Sequence, residues 1–105
     1  MISIYTITTI PATFPYKDSR CVGWFESCVS AFDEVRHNSG DIYEDGHYRY
    51  VIIEQVDPGI YTFPRKEFWF EWIKNREDGG VFSPGYARLD TKPNRFHNIA
   101  CFSMG

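Results

Sequence analysis

One stretch constrains this chain more than any other: Lys66-Glu67-Phe68-Trp69-Phe70-Glu71-Trp72-Ile73-Lys74. It holds two of the three tryptophans together with two phenylalanines. Successive side chains of a β-strand point to opposite faces. Phe68, Phe70 and Trp72 therefore share one face, and Trp69, Glu71 and Ile73 share the other. A small sheet needs one apolar face for its own core, yet this strand carries aromatic surface on both. The second face must meet another element, another subunit or a ligand.

The rest of the chain offers limited means of covering it. At 105 residues, positions 1–105 read as a single domain. An aromatic content of 18% stands against disorder, because a few large rings can fill a modest core. A net charge of -3 opposes general binding to long nucleic acid, whose affinity comes mainly from a basic stripe. A local basic pocket remains compatible with that charge. Cys21, Cys28 and Cys101 are odd in number and follow no metal spacing. With no secretory signal and no apolar run of membrane-spanning length, reduced thiols in a cytoplasm are expected.

Element signals follow in order. Ile2 to Ile10 alternates β-branched residues and predicts a strand. Pro11 to Ser19 reads as a loop, and Arg20 to Phe25 as a second strand pairing with the first. Ser27 to Asn38 predicts the one helix, capped by Ser27, with Cys28, Ala31, Phe32 and Val35 as its buried stripe. Asn38 or Gly40 is available for a left-handed cap. Tyr48 to Val56 predicts a central strand, followed by a turn at Asp57-Pro58-Gly59 and a short connector at Ile60 to Phe63. After the aromatic strand, Asn75 to Gly80 reads as a turn and Val81 to Ser83 as a return strand. Beyond Pro84 the pattern weakens, and Asn94 to Phe102 offers only Phe96, Ile99 and Phe102 as apolar contacts.

The expected fold is α+β: a twisted antiparallel sheet of four to five strands, one main helix packed on one face, and an irregular C-terminal tail. One helix covers one face. The surplus side, either Trp69 and Ile73 or Phe68, Phe70 and Trp72, predicts a homo-oligomer, since a bare aromatic patch is unusual on a monomer.

Candidate chemistry is sparse. His97 with Cys101, and His37, Asp41, Glu44 and His47, are loose groupings that a tail contact and a solvated loop explain better than a metal, so neither metal nor cofactor is expected. Glu54 in the central strand needs a partner if buried, with Arg20, Arg49 or Arg65 available. No phosphate-binding glycine loop and no nucleophile elbow occurs, and nothing argues for an enzyme. Aromatics interleaved with arginine carry the best signal: Tyr48-Arg49-Tyr50, Pro64-Arg65-Lys66 leading into Phe68, and Asn94-Arg95 near Asn98. Such a surface suits a base attached to phosphates, because the ring stacks and a guanidinium pairs with phosphate oxygens. Trp69 is the expected stacking ring, or Trp24 or Tyr48 if the sheet orders differently. Arg20, Arg65 and Arg95 are the expected phosphate ligands, and Asn94 or Asn98 the reader of a base or ribose edge.

The run Arg20-Cys21-Val22-Gly23-Trp24-Phe25-Glu26, the helix, Asn38 to Glu44, Tyr48 to Glu54, Gly59 to Tyr61 and Glu67 to Trp72 resembles a family of small bacteriophage and prophage proteins. Phage proteins of this size and α+β make-up are similar to anti-defence sponges of the Thoeris anti-defence type. Those bind cyclic ADP-ribose derivatives, and some bind cyclic oligonucleotides, without cleaving them. They act as homo-oligomers with pockets at subunit interfaces. The resemblance implies a protein of the host cytoplasm that sequesters a nucleotide-derived immune signal. The alternative is a phage protein that inhibits a host or defence protein by direct contact, its acidic loop from Asp41 to Asp45 supplying complementary charge.

Overall fold

β-Branched residues make the first strand, β1 (Ile4–Ile10), and the chain returns along it as β2 (Arg20–Phe25). The computed structural model describes residues 3–12, 19–58 and 64–96. The connector expected at 60–63, the His97 and Cys101 pair, Asn98 and the remainder of the expected terminal element lie outside the described residues.

Helix α1 (Cys28–Arg36) follows, with the Ser27 hydroxyl accepting a hydrogen bond from the Ser30 amide at 3.4 Å. Asn38, at φ 49°, takes the left-handed turn that ends it. Its side chain then organises the next loop, accepting from the Tyr43 amide at 2.9 Å. Three long strands complete the set: β3 (Tyr50–Val56), β4 (Lys66–Asp78) and β5 (Val81–Leu89). They form one antiparallel sheet in the order β2-β1-β3-β4-β5, which puts β3 at its centre.

The opening alternation holds. Phe68, Phe70 and Trp72 lie against the core that α1 closes, where Ala31 and Val35 are fully buried on Ile7, Val51, Ile53, Phe70 and Tyr86. Phe32 meets Phe68 and Phe70 edge-on, with centroids 5.0 and 5.5 Å away. On the opposite face Trp69 joins Ile10, Tyr50 and Ile52. The short helical turn Asn94–Phe96 brings Phe96 onto this second cluster, its ring stacked on Trp69 at 5.1 Å and edge-on to Tyr50 at 5.2 Å.

That contact corrects one expectation. Trp69 is 3% exposed and Phe96 fully buried, so the aromatic surplus is met within the chain. The helix takes one face and Phe96 takes the other. Among the described residues no bare aromatic ring is left on either face of β4, while Ile73, grouped with Trp69 by alternation, is 36% exposed.

The hairpin of β4 and β5 is longer than its sequence suggests. β3 pairs with β4 only from Lys66 to Glu71, so the part beyond Glu71 forms an arm past the end of β3. β5 runs straight through Pro84-Gly85, which the sequence reading takes as a break. An edge strand tolerates a proline because the missing N–H costs no ladder bond on the open side. The ladder shifts register between Ile73 and Arg76, opposite this point. Among the described residues, no helix is long and apolar enough to cross a membrane.

Candidate functional site

Strand register builds the site. Across the β4–β5 ladder Phe70 lies opposite Arg88, and Trp72 opposite Tyr86, so all four share the face that α1 covers. The last turn of α1 contributes Arg36 beside them. Between the helix and the arm lies a cleft of about 420 Å³, with Phe32, Phe70 and Tyr86 as apolar lining and Arg36, Arg76 and Arg88 as cations. Glu77 is the carboxylate among its described lining residues.

The arginines are held differently. Arg76 ties the arm to the helix, its Nη1 donating to the Arg36 carbonyl at 2.8 Å and to the Tyr86 carbonyl at 3.3 Å. Gly85 makes room for it: a Cβ there would lie 2.9 Å from the Arg76 Cζ. Arg88 instead rests on rings, its Cζ 5.4 Å from the Phe32 centroid and 5.2 Å from that of Phe68. Among the described residues no carboxylate pairs with it. Its charge reaches Cys28, whose thiol is pushed up by burial and drawn partly back by Arg88 and Lys66.

Beneath the cleft the floor is aromatic and hydrogen-bonded. The Tyr86 hydroxyl donates to the buried Tyr48 carbonyl. Burial raises the Tyr86 pKa, with smaller contributions from Tyr43 and Asp41. Tyr43 stacks on Trp72 at 3.8 Å and 6°, and meets Tyr86 edge-on at 6.0 Å. These rings hold the root of the arm against the loop after α1.

The residues expected from sequence are scattered by comparison. Asn94 and Arg95 do come together, in an open groove with Arg49 and Tyr50 on the opposite face. There Arg95 and Arg49 flank the Tyr50 ring at 5.4 and 5.9 Å, but Arg49 is already engaged by Glu71 at 2.6 Å. Arg20 pairs with Glu44 at 3.2 Å and Arg65 with Asp57 at 3.6 Å. Glu54 is fully buried, while the three arginines expected beside it are engaged by Glu44, Glu71 and Asp57. Trp69 and Tyr48 are corrected from stacking platforms to core residues, being 3% and 4% exposed. Trp24 is 59% exposed on edge strand β2 and remote in register from the cleft. Asn98 lies outside the described residues.

Arg36, Arg76 and Arg88 carry no local signal in the sequence. Arg36 reads as a helix-end charge and Arg76 as part of a turn, while Arg88 falls where the apolar pattern fades. The available signal is conditional: once β5 is carried through Pro84, alternation puts Tyr86 and Arg88 on the face of Phe70 and Trp72. Among the described residues no group of three His, Cys, Asp or Glu side chains is arranged to hold a metal. No protein-family profile, curated protein or solved structure matches the chain.

Proposed function

We propose that this is a binding protein that holds a nucleotide-derived small molecule in the cleft between α1 and the β4–β5 arm. This is sequestration of the kind that the phage anti-defence resemblance implies. One observation carries the reading: Arg88 sits on two phenylalanine rings at the cleft with no carboxylate partner among the described residues. Guanidinium groups remain protonated at any working pH, so they bind and orient anions without shuttling protons. A lining of three of them supplies charge for holding an anion. Calorimetric titration with cyclic ADP-ribose isomers, mononucleotides and cyclic oligonucleotides tests the reading, followed by denaturation and recovery of the ligand. Saturable binding with the ligand recovered intact supports it. Absence of binding across the panel, or conversion of the ligand to product, sinks it.

A second reading rests on the tip of the arm, where Val81 and Phe82 are 64% and 66% exposed. Two adjacent apolar side chains on a projecting hairpin suit a protein contact. On that reading Phe82→Asp abolishes capture of a host or defence protein and leaves nucleotide titrations unchanged.

A further inference from the structure

Resting on the sequestering reading, we infer that the cleft takes one purine base with its attached phosphate at a time, the base lying on the open face of Arg88. A guanidinium is flat and has two faces able to stack. Phe32 and Phe68 lie beside Arg88, its Cζ 5.4 and 5.2 Å from their centroids, with the two rings at 75° to each other. The side chain is exposed, which leaves the outer side to a ligand. Aromatic overlap grows with ring size, so a two-ring purine gains more there than a one-ring pyrimidine.

Arg76 has the complementary part. Two carbonyls hold its Nη1, and the backbone of Gly85 leaves it a seat with no room for a side chain. It cannot turn to stack without leaving both carbonyls. It offers a charge fixed in position, which suits a phosphate and needs little reorganisation when one arrives. Size narrows the ligand further. A cavity of about 420 Å³ lies in the lower part of the roughly 300–1,000 Å³ range of small-molecule sites. That space holds a single nucleotide unit.

The test titrates AMP, UMP, ribose 5-phosphate and cyclic triadenylate into wild type, Arg88→Lys and Gly85→Ala. For wild type, AMP binds at least about tenfold tighter than ribose 5-phosphate, with UMP between them. Cyclic triadenylate is the weaker ligand than AMP. Arg88→Lys keeps the charge but not the flat surface, so AMP falls to the level of ribose 5-phosphate. Gly85→Ala displaces Arg76 and weakens AMP and ribose 5-phosphate by the same factor, leaving their ratio intact. Both variants are first checked by circular dichroism, and Arg88→Lys, an exposed site, carries the decision if Gly85→Ala unfolds. Equal wild-type affinity for AMP and ribose 5-phosphate, an undiminished AMP preference in Arg88→Lys, or tighter binding of cyclic triadenylate overturns this inference and leaves the sequestering reading standing. No binding of any probe overturns both.

Discussion

The two faces of the sheet are built from the same kinds of residue and end in different conditions. Under α1, aromatic rings and arginines frame a cleft, and Arg88 stands on Phe32 and Phe68 with no carboxylate partner among the described residues. On the opposite face, Trp69 is stacked under Phe96, and Arg49 is bound by Glu71. That face also buries Thr6, Thr8 and Glu54, while the helix-covered face buries Thr9 opposite Val51. An aromatic residue beside an arginine is therefore not in itself a recognition site. What matters is whether the chain has already used both.

The comparison breaks first at Trp69. If its role is to close the opposite face with Phe96, Trp69→Ala opens a large cavity and costs about 3–5 kcal/mol in urea or guanidinium unfolding. A loss of less than about 1 kcal/mol would mean that the second cluster is not a core. Next comes Tyr86, which links the cleft to the buried Tyr48 carbonyl. Tyr86→Phe leaves that carbonyl without its donor and costs about 1–3 kcal/mol.

The same substitution has a pH signature. The native Tyr86 holds its proton above the ordinary tyrosine value, while the unfolded chain ionises near pH 10. Its contribution is therefore complete below about pH 10 and falls as pH rises beyond that point. Wild type should lose stability more steeply than Tyr86→Phe above about pH 10, measured as Tm against pH. Parallel curves would contradict the assignment of the buried phenol. The smallest effect belongs to the Arg49–Glu71 pair, whose arginine side chain is 54% exposed. A double-mutant cycle with Arg49→Met and Glu71→Gln should give a coupling of about 0–1 kcal/mol, most of it lost in high salt.

Most of the framework is legible from side-chain periodicity. β2 begins and ends where alternation puts it, and α1 lies within the expected Ser27 to Asn38 with Ala31 and Val35 buried. The split of Phe68, Phe70 and Trp72 from Trp69 is correct because burial on both faces fixes register strongly. The arm is hidden at Pro84-Gly85, where local chemistry reads as a turn and an edge position overrules it. The cleft is hidden with it. Arg36, Arg76 and Arg88 are far apart in sequence and meet only through strand pairing and the packing of α1. Trp69 differs for the opposite reason: alternation gives its face, but nothing around Phe96 in the sequence signals that it returns to cover it.

The measurement that bears most directly on the account sets one arginine from each face against the other. AMP is titrated by calorimetry into wild type, Arg88→Gln and Arg49→Gln, all with native-like circular dichroism. The account predicts that Arg88→Gln weakens binding at least about tenfold, since it removes both the stacking surface and the charge. Arg49→Gln should leave affinity within about twofold, because that charge is already taken by Glu71. Equal losses in the two variants, or a larger loss in Arg49→Gln, would contradict it.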